Sequence, residues 1–139
     1  KTIVKNKSII LIDDSLVRGT TCHKIVKMLY EAGAAEVHVR IACPQIKFPD
    51  FYGVDMPTKE ELLAHNRCIS EMTKYIKAKS LKFLSLDGLY KALIGEKRNI
   101  VYPQFSDHYF TGDYPVKPSD NLEGLKVKQL SLLSGKSNS

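Results

Sequence analysis

The chain has no tryptophan and only three cysteines, Cys22, Cys43 and Cys68, among 139 residues. The cysteines lie far apart with no CxxC pair, which argues against a disulfide framework or a zinc site and fits reduced thiols in a cytoplasmic protein. The four histidines are isolated, and none falls at ligand spacing from a cysteine. No apolar run approaches the roughly 18 residues of a membrane span, and no secretory pattern opens the chain. Neither a Walker loop ending in Gly-Lys-Ser/Thr nor a GxGxxG fingerprint occurs. Internal repeats are absent. So is any basic block: the lysines behind the net charge of +6 are scattered between apolar positions. That distribution reads as a solvated surface rather than a nucleic-acid footprint.

What is present is the composition of an ordinary globular domain, 43% apolar and 26% charged, long enough to bury a core. The chain opens Lys-Thr-Ile-Val and reaches its richest motif within nine residues, which gives it the look of the back part of something longer.

Residues 8–13, SIILID, form an apolar run ending in an acid, the pattern of a parallel strand covered on both faces. Asp14, Ser15 and Gly19 then supply turn chemistry. From Thr20 the spacing turns helical, with Ile25, Met28, Leu29 and Ala32 on one face and Gly33 as a C-terminal cap. Val37, Val39, Ile41 and Cys43 alternate along a second strand, so the start of the chain is a βαβ unit. PQIKFPDFYGVDMP, with three prolines and a glycine, is loop. Thr58-Lys59-Glu60-Glu61 predicts a capping box opening a helix through about His65. Ile69, Met72 and Ile76 mark a further helix, LKFL (81–84) a short strand, and Ser85 caps a helix carrying Leu86, Leu89, Tyr90 and Leu93. The reading is α/β over 1–95, followed by an irregular arm over 96–139 whose last residues, SGKSNS, are expected to be mobile.

The chemistry concentrates in IILIDDSLVRGTT, residues 9–21. In an open α/β sheet, ligands bind at the carboxyl ends of the strands, and Asp13 and Asp14 sit at that edge. The turn that follows aims backbone N–H groups from the mouth of a helix, a natural phosphate cradle. Gly19 lets backbone approach the phosphate, Ser15, Thr20 and Thr21 add hydroxyls, and Arg18 is available as a cation or points to solvent. Carboxylates beside an anion cradle suit sugar hydroxyls and the Mg²⁺ that accompanies a pyrophosphate. A phosphorylated ribose fits both. The plainer reading, an acid pair capping an ordinary turn, explains fewer of these residues at once.

This motif resembles the phosphoribosyl-pyrophosphate (PRPP) signature of type I phosphoribosyltransferases, in the form found in the amidophosphoribosyltransferase family. The resemblance continues through AGAAEVHVRIACPQIKFPDFYGVDMPTKEELLAHNR, SLDGLYKAL and FTGDYP. It implies the C-terminal part of a type I phosphoribosyltransferase domain, a Rossmann-like parallel sheet with a helical and irregular C-terminal arm. It further implies that Asp13 and Asp14 hold the ribose hydroxyls and Mg²⁺. Ser15, Leu16, Val17, Arg18, Gly19, Thr20 and Thr21 would wrap the 5′-phosphate. The family reaction displaces pyrophosphate from PRPP by ammonia released from glutamine, giving phosphoribosylamine for purine synthesis. These residues hold rather than attack, so none is assigned as catalytic.

The family's glutaminase half, with its N-terminal cysteine nucleophile, has no counterpart here. Cys22, Cys43 and Cys68 read as packing residues. The first sheet strands, the pyrophosphate loop and a further metal ligand are likewise missing, leaving an exposed sheet edge and apolar face. Some members hold an iron–sulfur cluster on C-terminal cysteines; the matching places read FPDFYG and QFSDHYFTG, so no cluster is expected. Three accounts stay open: a segment active with the missing half on another chain, a non-catalytic PRPP- or nucleotide-binding module, and an inactive gene remnant. Family members are oligomers, so a homo-oligomer is an expectation. Neither nucleic acid nor membrane is an expected partner.

Overall fold

The computed structural model describes residues 3–116; the SGKSNS tail lies outside them. Among the described residues the elements run β1 (Ser8–Asp13), α1 (Thr20–Glu31), β2 (Glu36–Ile41), a 3₁₀ turn (Lys59–Glu61), α2 (Ile69–Ile76), β3 (Ser80–Phe83), α3 (Leu86–Ile94) and α4 (His108–Thr111). The strands form one parallel sheet in the order β1-β2-β3. In its register Ile9 stands opposite Val37, and Val39 lies between Leu11 and Leu81.

That register sends one parity of side chains to a single covered face. Val37, Val39, Ile41 and Leu81 are buried against Cys22 and Val26 of α1 and Met72 and Ile76 of α2, with Ile9, Leu11 and Phe83 partly buried beside them. Removing such aliphatic side chains from water contributes about 1.5–3 kcal/mol each. α1 stops at a Schellman arrangement: Ala34 N–H donates to the Leu29 carbonyl and Gly33 N–H to that of Tyr30, with Gly33 at φ +94°.

The other parity departs from the expectation for β1. Ile10 and Ile12 are 64% and 72% exposed, so β1 is an edge strand covered on one face only. Beside them lie His38, Arg40, Ser80 and Lys82. The apolar run signalled burial on both faces, yet among the described residues only one layer of helices is present. Among the described residues, Ile10 and Ile12 thus form an exposed apolar strip on the sheet. In α1 the buried residues are Cys22 and Val26, with Leu29 partly buried against the same core, whereas Met28 is exposed. The capping box at Thr58 forms, but helical geometry ends at Glu61 because Leu62 is extended. Cys68 also differs from expectation: it is exposed and caps α2 instead of packing.

Residues 98–116 fold back over the loop after β2 and over α3. Tyr90 of α3 and Arg98 both donate to the Asp107 carboxylate, which is 4% exposed, and Arg98 also reaches Asp113. FPDFYG and QFSDHYFTG are brought together by a buried clasp. The Asp50 carboxylate meets His108 Nε2 at 2.8 Å, and Ser106 Oγ lies 3.1 Å from His108 Nδ1. Lys47 N–H donates to the Tyr109 carbonyl, and Tyr114 OH to that of Pro49. Burial alone would raise the Asp50 carboxyl, but N–H groups of Val54 and Tyr52 and the His108 ring outweigh it and hold the pKa at about 2.

Arg98→Ala leaves a buried carboxylate unpaired and should destabilise the fold by about 3 kcal/mol, read as a lowered urea midpoint; a loss of less than about 0.5 kcal/mol would contradict the pairing. A depressed carboxyl contributes stability fully present above its unfolded pKa of about 4 and lost as pH falls toward 2. The urea midpoint of the wild-type chain should therefore fall more steeply between those pH values than that of Asp50→Asn, and parallel curves would refute this.

Candidate functional site: the turn between β1 and α1

Residues Asp13–Cys22 line one concavity of about 310 Å³ at the carboxyl edge of the sheet. All the residues singled out in sequence, Asp13 through Thr21, thus come together, though not all present side chains. Leu16 is 2% exposed and belongs to the core, contributing backbone only. Asp13 shares the covered side of the sheet by strand parity, while Asp14 is exposed. The Asp13 carboxylate accepts from the Asp14 N–H at 3.0 Å, and Ser15 Oγ donates to Asp14 at 3.2 Å. These contacts orient the pair while leaving oxygens free.

The backbone carries the main chemistry. Among the described residues, the N–H groups of Ser15 and of residues 17–22 find no protein acceptor. Gly19, the N-cap of α1, has no side chain to satisfy the first-turn donors, and the first turn holds no acidic residue. A run of unspent amides at the positive end of a twelve-residue helix is an anion cradle. Cys22 sits on the core side: burial, with the Asp13 charge adding to it, pushes its thiol up to about 11. Burial likewise raises Cys43, partly offset by a hydrogen bond from Leu16. Neither thiol is activated as a nucleophile.

Gly19 earns its place differently from the sequence reading. Its φ is +76°, and a Cβ there would lie 2.6 Å from Leu63 Cδ2 and 3.1 Å from Tyr75 Cε1. The close approach is thus made by protein side chains as well as by any ligand. The turn is pinned from the same side: Leu63 N–H donates to the Val17 carbonyl at 2.8 Å, and the Tyr75 carbonyl accepts from His23 Nδ1 at 2.9 Å. Arg18 is exposed, but it is tethered: its Nε donates to Glu61 Oε1 at 3.1 Å. The supports Glu61, Leu63 and Tyr75 were not singled out in sequence. Only the Thr58–Glu61 capping signal pointed near them, and nothing in it indicated the turn.

An open parallel layer with an amide-lined turn after its edge strand defines the class: the fold is that of part of a type I phosphoribosyltransferase domain. The chain is homologous to a segment of the amidophosphoribosyltransferases. It is 52% identical to the amidophosphoribosyltransferase of Rhizobium etli over 135 residues, 96% of this chain and 27% of the relative. The Staphylococcus aureus enzyme is 50% identical over 116 residues, 84% of this chain and 23% of the relative. Among solved structures, the Bacillus subtilis glutamine PRPP amidotransferase complexed with ADP and GMP superimposes with a TM-score of 0.78 at 42% identity, over 86% of this chain and 26% of that one. The chain therefore spans about a quarter of the length of the relatives it matches. No protein-family model matches it.

Gly19→Ala places a methyl group against Leu63 in a left-handed backbone and should cost about 1–3 kcal/mol. Combined with Leu63→Ala, the total loss in urea titrations should be smaller than the sum of the two single losses. Strict additivity of the two substitutions would show that the contact is not the cause.

Proposed function

We propose that this segment forms the ribose-phosphate half of a PRPP site in an amidophosphoribosyltransferase. The observation that carries the reading is the juxtaposition in one concavity of unspent backbone donors, at Ser15 and residues 17–22, with the Asp13–Asp14 carboxylates. The amides and the hydroxyls of Ser15, Thr20 and Thr21 take the 5′-phosphate, whose charge the α1 terminus favours. The carboxylates take the ribose hydroxyls and Mg²⁺. The donor set fits that ion: Mg²⁺ is commonly held by one or two carboxylates together with substrate phosphates and water. Substrate phosphate oxygens and water would supply the rest of the shell.

In the whole reaction, PRPP and glutamine give phosphoribosylamine, the opening step of purine synthesis. Within it this segment's residues bind and orient the sugar, and the chain's 1–95 portion carries that task while residues 106–116 brace the loop after β2. None of these residues is assigned to glutamine hydrolysis. Among the described residues no helix is long and apolar enough to cross a membrane.

Calorimetric titration with PRPP, with and without Mg²⁺, tests the reading. Asp13→Asn with Asp14→Asn should weaken Mg²⁺-dependent binding by about tenfold or more, since charge-assisted contacts are worth roughly 1.5–3 kcal/mol, while the urea midpoint stays near that of the wild-type chain. Equal loss of binding and fold would sink the assigned roles.

A further inference from the structure

We infer that Glu61 is a positioning residue of the anion site: it holds Arg18 by Nε alone and so presents the two terminal guanidinium nitrogens to the phosphate. The inference rests on the ribose-phosphate reading above and adds a residue outside the signature, 43 positions from Arg18 in sequence.

Each oxygen of Glu61 has a separate duty. Oε2 is fixed by the capping box, accepting from Thr58 N–H at 3.0 Å and facing Thr58 Oγ1 at 3.4 Å. Oε1 accepts from Arg18 Nε at 3.1 Å. Two residues on, Leu63 N–H binds the Val17 carbonyl, so the 58–63 segment grips the turn at adjacent residues. The Arg18 contact, ahead of that from Thr58, holds the Glu61 carboxyl below the ordinary carboxylate range.

An ordinary exposed ion pair contributes little because two long side chains must be ordered to make it. Here the capping box has already ordered the carboxylate. Among the described residues the terminal nitrogens of Arg18 have no acceptor, and Arg18 lines the same concavity as Asp13–Cys22. A guanidinium can be held through one N–H and still offer a fork to an oxyanion; an ammonium cannot.

PRPP affinity in Mg²⁺ should be measured by calorimetry for Glu61→Ala, Glu61→Gln, Arg18→Ala, Arg18→Lys and the Arg18→Ala/Glu61→Ala pair, alongside the urea midpoint of each. Glu61→Ala should weaken binding roughly fivefold, with Glu61→Gln, which keeps an acceptor, restoring part of it. Arg18→Ala and Arg18→Lys should each lose about tenfold. If Glu61 acts through Arg18, the double variant binds no worse than Arg18→Ala alone. Wild-type affinity in Glu61→Ala, or additive losses in the double variant, would overturn the inference and leave the PRPP reading intact. A folded wild-type chain giving no saturable heat would overturn the PRPP reading itself, and this inference with it.

Discussion

The carboxyl edge of this sheet depends on one backbone conformation, the left-handed turn at Gly19. A chain leaving a parallel strand must reverse and climb into a helix packed on the sheet, and here it does so in six residues between Asp13 and Thr20. A φ of +76° makes that reversal, and the missing side chain lets Leu63 and Tyr75 close over it. The same feature that permits packing also leaves the first turn of α1 without a capping side chain. Structural and chemical demands therefore meet at one residue: a Ser or Asp in its place would satisfy the amides that make the turn an anion site.

Polar groups bind the irregular arm where helical or strand periodicity does not. Asp107 gathers Tyr90 and Arg98, and Asp50 gathers backbone donors together with His108. No buried side-chain polar atom among the described residues is left without a partner. Such networks specify geometry strongly because a half-satisfied version is costly. That explains how the arm can be ordered with only one four-residue helix, α4, between Arg98 and Val116.

The sequence was most legible where a period or a local signal was at work. The alternation in β2, the helical spacing of α2, the Ser85 cap and the turn chemistry after Asp13 all appear where residue pattern placed them. Misreadings arose where the answer depended on a distant partner. Ile10 and Ile12 announce burial, but whether they are buried depends on a second layer that β1 cannot encode. Met28 looks apolar and falls on the outer side of α1, where packing against Val37 and Met72 selects Cys22 and Val26 instead. Arg18 reads as a free cation until Glu61 is brought to it. The Asp50–His108 pair joins two segments 58 residues apart, and neither segment carries a motif predicting the other.

One strand bears both of the molecule's unfilled demands, an apolar one along Ile10 and Ile12 and a polar one at Asp13 and Asp14. They differ in what they require. The contacts that shape the turn come from α1, α2 and the 58–63 segment: Leu63 on Val17 and Gly19, Tyr75 on Gly19 and His23, Glu61 on Arg18. None of these residues belongs to the uncovered face of the sheet. The cradle is therefore braced wholly from the covered side. Whatever layer packs on Ile10 and Ile12 would add stability through apolar burial without resetting the amides of residues 17–22. Anion recognition and completion of the core are separable in this chain because opposite faces of β1 serve them.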